Sequence, residues 1–160
     1  MNNKIMPKTA LLSVSDKSGL VAFGRFLKKK KIKIIATGGT ATTLRGAGVP
    51  VVSVSSVTGF PEIFGGRVKS MHPKVAGGIL GQRDTDKEEA KKNKIGWIDL
   101  VVCNLYPFED VTKKKGVSLE EKIEHIDIGG PTMIRAAAKN NKWVSVVVDP
   151  KDYKNIQKSI

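Results

Sequence analysis

A threonine–glycine–glycine–threonine turn is the part of this 160-residue chain best suited to bind an anion. It follows an apolar run at residues 32–36 and precedes a helix-like segment at residues 41–47, which is the order strand, tight turn, helix. Adjacent glycines let the backbone approach a ligand, and a helix start presents unpaired N–H groups and a positive dipole end. The threonines add hydroxyl donors. We therefore expect a phosphate at Thr37, Gly38, Gly39 and Thr40.

A second turn of this kind follows the apolar run at residues 9–14. It offers the hydroxyls of Ser15 and Ser18 and the ammonium group of Lys17, and Gly19 opens the next helix. Two strand ends with such donors suggest that one anionic small molecule is held at the edge of a parallel sheet.

A basic pair, Arg67 and Lys69, stands next to Ser70. In an extended segment the spacing of two puts both cations on one face, and a guanidinium with an ammonium group suits a phosphate or another oxyanion. A basic surface pair without a ligand is the alternative. His72 precedes a proline, so we expect it to be extended and near the site, without a catalytic role.

Asn104 and Tyr106 follow a strongly apolar run, at the strand end where parallel sheets hold ligands. Neighbouring lysines would make the Tyr106 phenol more acidic, which suits a proton relay. The alternative is an aromatic residue that only packs at a turn. Cys103 lies within the run, and we expect it to be buried.

Asp127 stands between two isoleucines, just before Gly129 and Gly130 and a predicted helix. Partial burial would raise the pKa of Asp127 and make it a proton acceptor. The amides of the two glycines would form an oxyanion hole, to which Pro131 contributes no N–H. The alternative is a simple helix cap. Lys139 follows three alanines, whose small side chains allow the helix to pack closely, so that the Lys139 amine could turn inward. The alternative is that the amine lies in solvent.

Alternating strand and helix patterns must position these residues, which predicts an α/β fold with three layers and a mostly parallel sheet. We expect strands at residues 9–14, 33–36, 51–54, 100–105 and 144–148, and helices at 19–30, 40–47, 84–94, 130–141 and from 150 to 160. Glycine and proline are so frequent in residues 58–81 that we expect loops around a site there.

Composition excludes several classes of function. The net charge of +13 is best explained by a lysine-rich solvated surface. The chain has nine aromatic residues (two Trp, two Tyr, five Phe), and none lies among the lysine runs at 28–31 and 113–115. Because bases would have no aromatic side chains to stack on there, we expect no nucleic-acid partner. We expect no membrane span and, at residues 1–7, no signal peptide. A single cysteine fits a reducing cytoplasm, and with two distant histidines it gives no metal cluster.

Seven segments, in order, carry a resemblance that runs from about residue 9 to residue 153. They are SVSDK (13–17), TGGT (37–40), TGFPE (58–62), GRVKSMHP (66–73), CNLYPF (103–108), DIGG (127–130) and RAAAKN (135–140). Together they resemble the N-terminal IMP cyclohydrolase domain of the bifunctional purine-biosynthesis enzyme AICAR transformylase/IMP cyclohydrolase.

The resemblance implies a methylglyoxal-synthase-like fold and closure of the nucleotide FAICAR to IMP with loss of water, without cofactor or metal. It implies a catalytic set of Lys69, Tyr106, Asp127 and Lys139, in which Lys139 orients Asp127. It places around the phosphate and ribose the residues Ser15, Lys17, Ser18, Thr37, Gly38, Gly39, Thr40, Arg67, Lys69 and Ser70. In the family the cyclohydrolase region extends further and a transformylase domain follows, so we expect a domain shortened at its C-terminus, with no folate site. The full-length enzyme is expected to be a homodimer.

Three alternatives stay open. A methylglyoxal synthase shares the fold and the threonine–glycine turn, and would eliminate phosphate from a triose. A regulatory module would bind a nucleotide without chemistry. Nucleic-acid binding through the lysine runs predicts affinity that falls steeply with salt.

Overall fold

The computed structural model describes residues 6–106 and 108–160. Residues 1–5, where we expect no signal peptide, and Pro107, which follows Tyr106, lie outside the described residues. The described strands form one parallel sheet in the order β3-β2-β1-β4-β5, which confirms the predicted α/β class. They are β1 (Thr9–Val14), β2 (Lys33–Ala36), β3 (Val52–Ser53), β4 (Leu100–Asn104) and β5 (Ser145–Val147).

Helices cover both faces of this sheet and its carboxyl edge. They are α1 (Leu20–Lys29), α2 (Gly38–Gly46), α3 (Val54–Thr58), α4 (Pro73–Leu80), α5 (Lys87–Lys92), α6 (Phe108–Lys113), α7 (Leu119–Glu124), α8 (Gly129–Lys139) and α9 (Tyr153–Ser159). No helix within residues 6–106 and 108–160 is both long and apolar enough to cross a bilayer.

One face of the sheet packs against α1, α2 and α9. Leu20, Phe23 and Leu27 recur at helical spacing on α1 and are fully buried against the inward side chains of β1 and β2. Phe23 also stacks on Tyr153 of α9, with 4.5 Å between ring centroids. This contact fixes the last helix on the same face as the first.

The other face packs against α3, α4 and α8, and here one prediction was wrong. Residues 73–80, expected as loop, form the helix α4, whose Val75 and Ile79 are buried. His72 is extended and caps it by accepting a hydrogen bond from the backbone N–H of Lys74, and Pro73 occupies its first position. The glycines of this segment therefore serve close packing rather than chain reversal.

Two further differences affect the edge of the sheet that holds the site. The predicted strand at 51–54 is reduced to β3, because Ser53 caps α3 by accepting from the backbone N–H of Ser56. Helix α2 begins at Gly38, two residues before the predicted start, so that both glycines of the first turn belong to the helix.

Candidate functional site

An open pocket of about 590 Å³ lies at the carboxyl ends of β1, β2 and β4. The strand order reverses between β1 and β4, which is where parallel sheets bind ligands. Residues 65–71 and 123–130 form its sides. All of the predicted site residues except Ser18 and Lys139 line it: Ser15, Lys17, Thr37, Gly38, Gly39, Thr40, Arg67, Lys69, Ser70, Asn104, Tyr106, Asp127, Gly129 and Gly130.

Two lysine ammonium groups lie beside the first turn of α2. A Cβ added at Gly39 would lie 3.9 Å from Lys17 Nζ, and one added at Gly38 would lie 4.0 Å from Lys69 Nζ. Gly38 has a φ of +27°, which a side chain would disfavour. The start of a nine-residue helix thus lies between two cations, and its dipole and amide groups favour an anion there.

Both threonine hydroxyls of this turn have hydrogen-bond partners within the protein, and that of Thr40 is no donor to a ligand, contrary to expectation. Thr40 is buried; its Oγ1 accepts from the backbone N–H of Val14 at 3.0 Å and donates to the Val14 carbonyl at 3.2 Å. Thr37 Oγ1 is hydrogen-bonded to Ser13 Oγ at 2.9 Å. A hydroxyl has one proton to donate, so Thr40 joins α2 to the end of β1 rather than binding a ligand through its side chain.

Asn104 positions the loop that carries Lys17. Its Oδ1 accepts from the backbone N–H groups of Ser15 at 2.6 Å and Asp16 at 2.9 Å, and its Nδ2 donates to the Asp16 carbonyl. Ser18 lies outside the pocket lining, and its backbone N–H donates to Asp16 Oδ1. The hydrogen bonds from Ser18 lower the pKa of Asp16.

Arg67 and Lys69 both line the pocket but point to different partners. Lys69 Nζ reaches the start of α2, whereas Arg67 Nε lies 3.3 Å from Glu124 Oε1 at the end of α7. Glu124 also lines the pocket, and it offsets the positive charge of Arg67. The sequence analysis missed Glu124, since an ion pair between residues 57 positions apart leaves no local pattern.

Asp127 lies at the start of α8, and its Oδ1 accepts from the backbone N–H of Gly130 at 2.8 Å. Its side chain is exposed, so the expected partial burial was wrong. Asp127 stands one residue before the N-cap Ile128, and its Oδ1 is tied to the first turn of α8 by this bond. Because the Gly130 amide already donates to Asp127, it is not free to act as the expected oxyanion hole. The neighbouring glycine touches the opposite wall: a Cβ at Gly129 would lie 2.7 Å from Ser70 Oγ.

Tyr106 is half exposed at the pocket edge, and its ring meets the ring of His125 edge to face, with 4.9 Å between centroids. His125 Nδ1 lies 2.7 Å from the Glu121 carbonyl oxygen, one turn earlier on α7. The sequence analysis gave His125 no role, although it stands two residues before Asp127. That proximity was the one available signal.

Lys139 is exposed at the last position of α8 and does not line the pocket. At 1.5 Å per residue, the helix carries it about 15 Å from Gly129. The expected orientation of Asp127 by Lys139 is therefore wrong within one chain. A part for Lys139 in the reaction stays a prediction from the resemblance.

Cys103 lies beneath the pocket floor and is buried, as expected. Burial, with a contribution from the negative charge of Asp127, raises the pKa of its thiol to about 12. The thiol is thus protonated at neutral pH and is no nucleophile for this site.

The sheet is parallel and its pocket lies where the strand order reverses. A comparison with protein families agrees with this fold. The chain belongs to the MGS-like domain family, whose model matches residues 19–132.

Within that family the chain is similar to proteins described as bifunctional purine biosynthesis protein PurH. It is 57% identical over 155 residues to that of Paracoccus denitrificans, covering 96% of this chain and 29% of the relative, and 54% identical over 153 residues to that of Ruminiclostridium cellulolyticum, covering 94% and 30%. The chain therefore spans about 30% of the length of these relatives. The crystal structure of ForH superposes with a TM-score of 0.84 at 36% identity, over 94% of this chain and 76% of that chain.

Proposed function

We propose that this chain carries IMP cyclohydrolase activity, the closure of FAICAR to IMP with loss of water, as part of purine biosynthesis. The observation that supports it best is a single pocket with two chemically different ends. Lys17 and Lys69 flank the start of α2, which follows β2. Tyr106 and Asp127 follow β4, which lies on the opposite side of β1 from β2 in the sheet. The names of the PurH relatives agree with a role in purine synthesis.

The cationic end suits the phosphate of the nucleotide. The N–H groups of the α2 start and the two ammonium groups hold it without a metal ion. Asn104 keeps the Lys17 loop in position through three hydrogen bonds. The rest of the nucleotide then extends toward α8.

Ring closure joins two groups of the same molecule, so holding FAICAR in a folded conformer is a large part of catalysis. The carboxamide nitrogen attacks the formyl carbon, a C–N bond forms, and the formyl oxygen gains negative charge. Asp127 accepts the nitrogen proton. Lys69 and Tyr106 stabilise this oxygen as it takes up two protons, one released by the carboxamide nitrogen through Asp127 and one released by the formamide nitrogen. The C–O bond then breaks, water leaves, and the C=N bond forms to the formamide nitrogen.

Spectrophotometric measurement of IMP formation from FAICAR tests the proposal. We expect turnover by the wild-type chain, and Asp127→Asn should lower kcat on the order of 100-fold if the carboxylate is the base. Asp149→Asn is the matched control, since Asp149 caps the turn before α9, away from the pocket. Normal turnover by Asp127→Asn would remove Asp127 from the mechanism.

The family match favours one other candidate. Because the chain is an MGS-like domain, the alternative is a methylglyoxal synthase. It would bind the phosphate of dihydroxyacetone phosphate between Lys17 and Lys69 and release it as inorganic phosphate. Methylglyoxal formation without FAICAR turnover would establish it instead. Binding of IMP with neither reaction would indicate a regulatory module.

A further inference from the structure

The backbone contacts of the two histidines favour opposite tautomers of the neutral ring. A carbonyl oxygen only accepts hydrogen bonds, so at His125 the proton must be on Nδ1, 2.7 Å from the Glu121 oxygen. His125 Nε2 then carries the lone pair. At His72 the Lys74 N–H donates to Nδ1 at 3.1 Å, so there the lone pair is on Nδ1 and the proton on Nε2.

Only one of these rings belongs to the pocket. His125 lines it and lies edge to face against the ring of Tyr106, whereas His72 caps α4 and does not line it. Because Nδ1 of His125 is turned toward its own helix, Nε2 is the ring nitrogen available to a ligand.

The helix that precedes His125, α7, is exposed along its length. None of the residues of α7 is buried, and its apolar side chains Leu119 and Ile123 are 66% and 50% exposed. Within the described part of the chain, the end of this helix meets the pocket through Glu124, which pairs with Arg67, and through His125, which lies against Tyr106. The Tyr106 ring and the end of α7 therefore fix each other.

We propose that His125 is a positioning residue of this pocket, which holds the ring of Tyr106 and presents an unprotonated Nε2 as a hydrogen-bond acceptor to the nucleotide. The titratable and charged groups around it are the Tyr106 phenol, Glu121 and Glu124 of α7, Arg67 on Glu124, and Asp127 before α8. The catalytic part of this inference rests on the proposed function.

The tautomers are measured directly by two-bond ¹H–¹⁵N correlation spectra of the ¹⁵N-labelled chain near pH 8. We expect the Nδ1–H form for His125 and the Nε2–H form for His72, which serves as the internal control. Addition of IMP should shift the Nε2 resonance of His125 and leave His72 unchanged. An Nε2–H form for His125 overturns the proposal, whatever the enzyme assay gives.

Kinetics test the positioning role. His125→Phe keeps an aromatic ring against Tyr106 but removes the acceptor, so we expect kcat for FAICAR to fall on the order of 10-fold or more. In His125→Ala, which also removes the ring contact with Tyr106, kcat should be lower still. Glu120→Gln, on the same helix but outside the pocket lining, should match the wild type.

The outcomes separate this inference from the proposed function. A wild-type kcat in His125→Phe overturns the role of His125 and leaves cyclohydrolase activity in place. If the wild-type chain forms no IMP, the proposed function fails, and the IMP titration then decides: a shift confined to His125 supports the inference, and no shift overturns it.

Discussion

The backbone N–H of Gly130 donates a 2.8 Å hydrogen bond to Asp127 Oδ1, and this bond ties the proposed base to the start of α8. A Cβ at Gly130 would lie 2.5 Å from Asp127 Oδ2 and 2.6 Å from Leu105 Cδ2. Gly130→Ala should therefore displace the carboxylate, lower kcat on the order of tenfold or more, and cost about 1–3 kcal/mol of stability.

The control for that prediction is Gly46→Ala at the end of α2, where an added Cβ meets nothing within 4 Å. It should leave both kcat and the urea midpoint close to wild type. Normal kinetics in Gly130→Ala would contradict the placement of Asp127 as base.

Thr40 joins α2 to the end of β1 through both of its hydrogen bonds with Val14. Thr40→Val keeps the shape of the side chain and leaves the Val14 N–H without its acceptor, so we expect a loss of about 1–3 kcal/mol in urea unfolding. Thr43→Val removes only a bond to the Gly39 carbonyl within the helix, and should change stability by less than about 0.5 kcal/mol. Equal losses in both variants would contradict the joining role.

If Arg67 binds the phosphate of the nucleotide, Glu124 competes with that anion for it. Both side chains are more than half exposed, so the pair is worth at most about 1 kcal/mol. Glu124→Gln should lower the Kd for IMP by about two- to fivefold in low salt, and added salt should narrow the difference. In titration calorimetry, Glu109→Gln is the matched control, since Glu109 pairs with Lys113 on α6. An unchanged Kd in Glu124→Gln would show that Arg67 does not hold the ligand.

Alkaline pH should destabilise the fold through two buried acids. Burial raises the pKa of Cys103 to about 12 from 9.0 and that of Tyr153 to about 12 from 10.0, with smaller contributions from nearby aspartates. From pH 9 to 12 the unfolded chain therefore binds fewer protons than the folded one, so the free energy of unfolding falls as pH rises; below pH 9 these groups add no slope.

Urea unfolding at pH 8 to 11 measures this slope. Tyr153→Phe should reduce the slope without weakening the fold at pH 8, because Tyr153 Oη is buried and has no hydrogen-bond partner among the described residues. A stability that stays constant from pH 8 to 11 would contradict the burial of both groups.

The strands of the sheet could be predicted because β1, β2 and β4 are short apolar runs ended by polar turns, and the alternation with helices implies parallel order. The same reasoning failed at α4. Taken alone, glycine and proline predict the end of a helix, but Pro73 fits the first helical position. The two glycines are needed for close packing: a Cβ at Gly77 would lie 2.9 Å from Ile95, and one at Gly78 would lie 2.6 Å from the Gly96 carbonyl oxygen.

The pocket was predictable to the extent that it is built from strand ends. Lys17 and Thr37 follow β1 and β2, and Asn104 is the last residue of the neighbouring β4, so topology alone brings them together. Side-chain pairs across loops were not predictable, since Arg67–Glu124 and Tyr106–His125 depend on where α7 lies. The capping box of α7, Ser118 with Glu121, was visible in the sequence and would have located that helix.

The most direct test of the central claim is a crystal structure of the chain with bound IMP. We expect the phosphate at the first turn of α2, in contact with the backbone N–H groups of Gly38 and Gly39 and with Lys17 and Lys69 on either side, and the base near Tyr106 and Asp127. A phosphate bound anywhere else on the protein would contradict the account of this pocket as a nucleotide site.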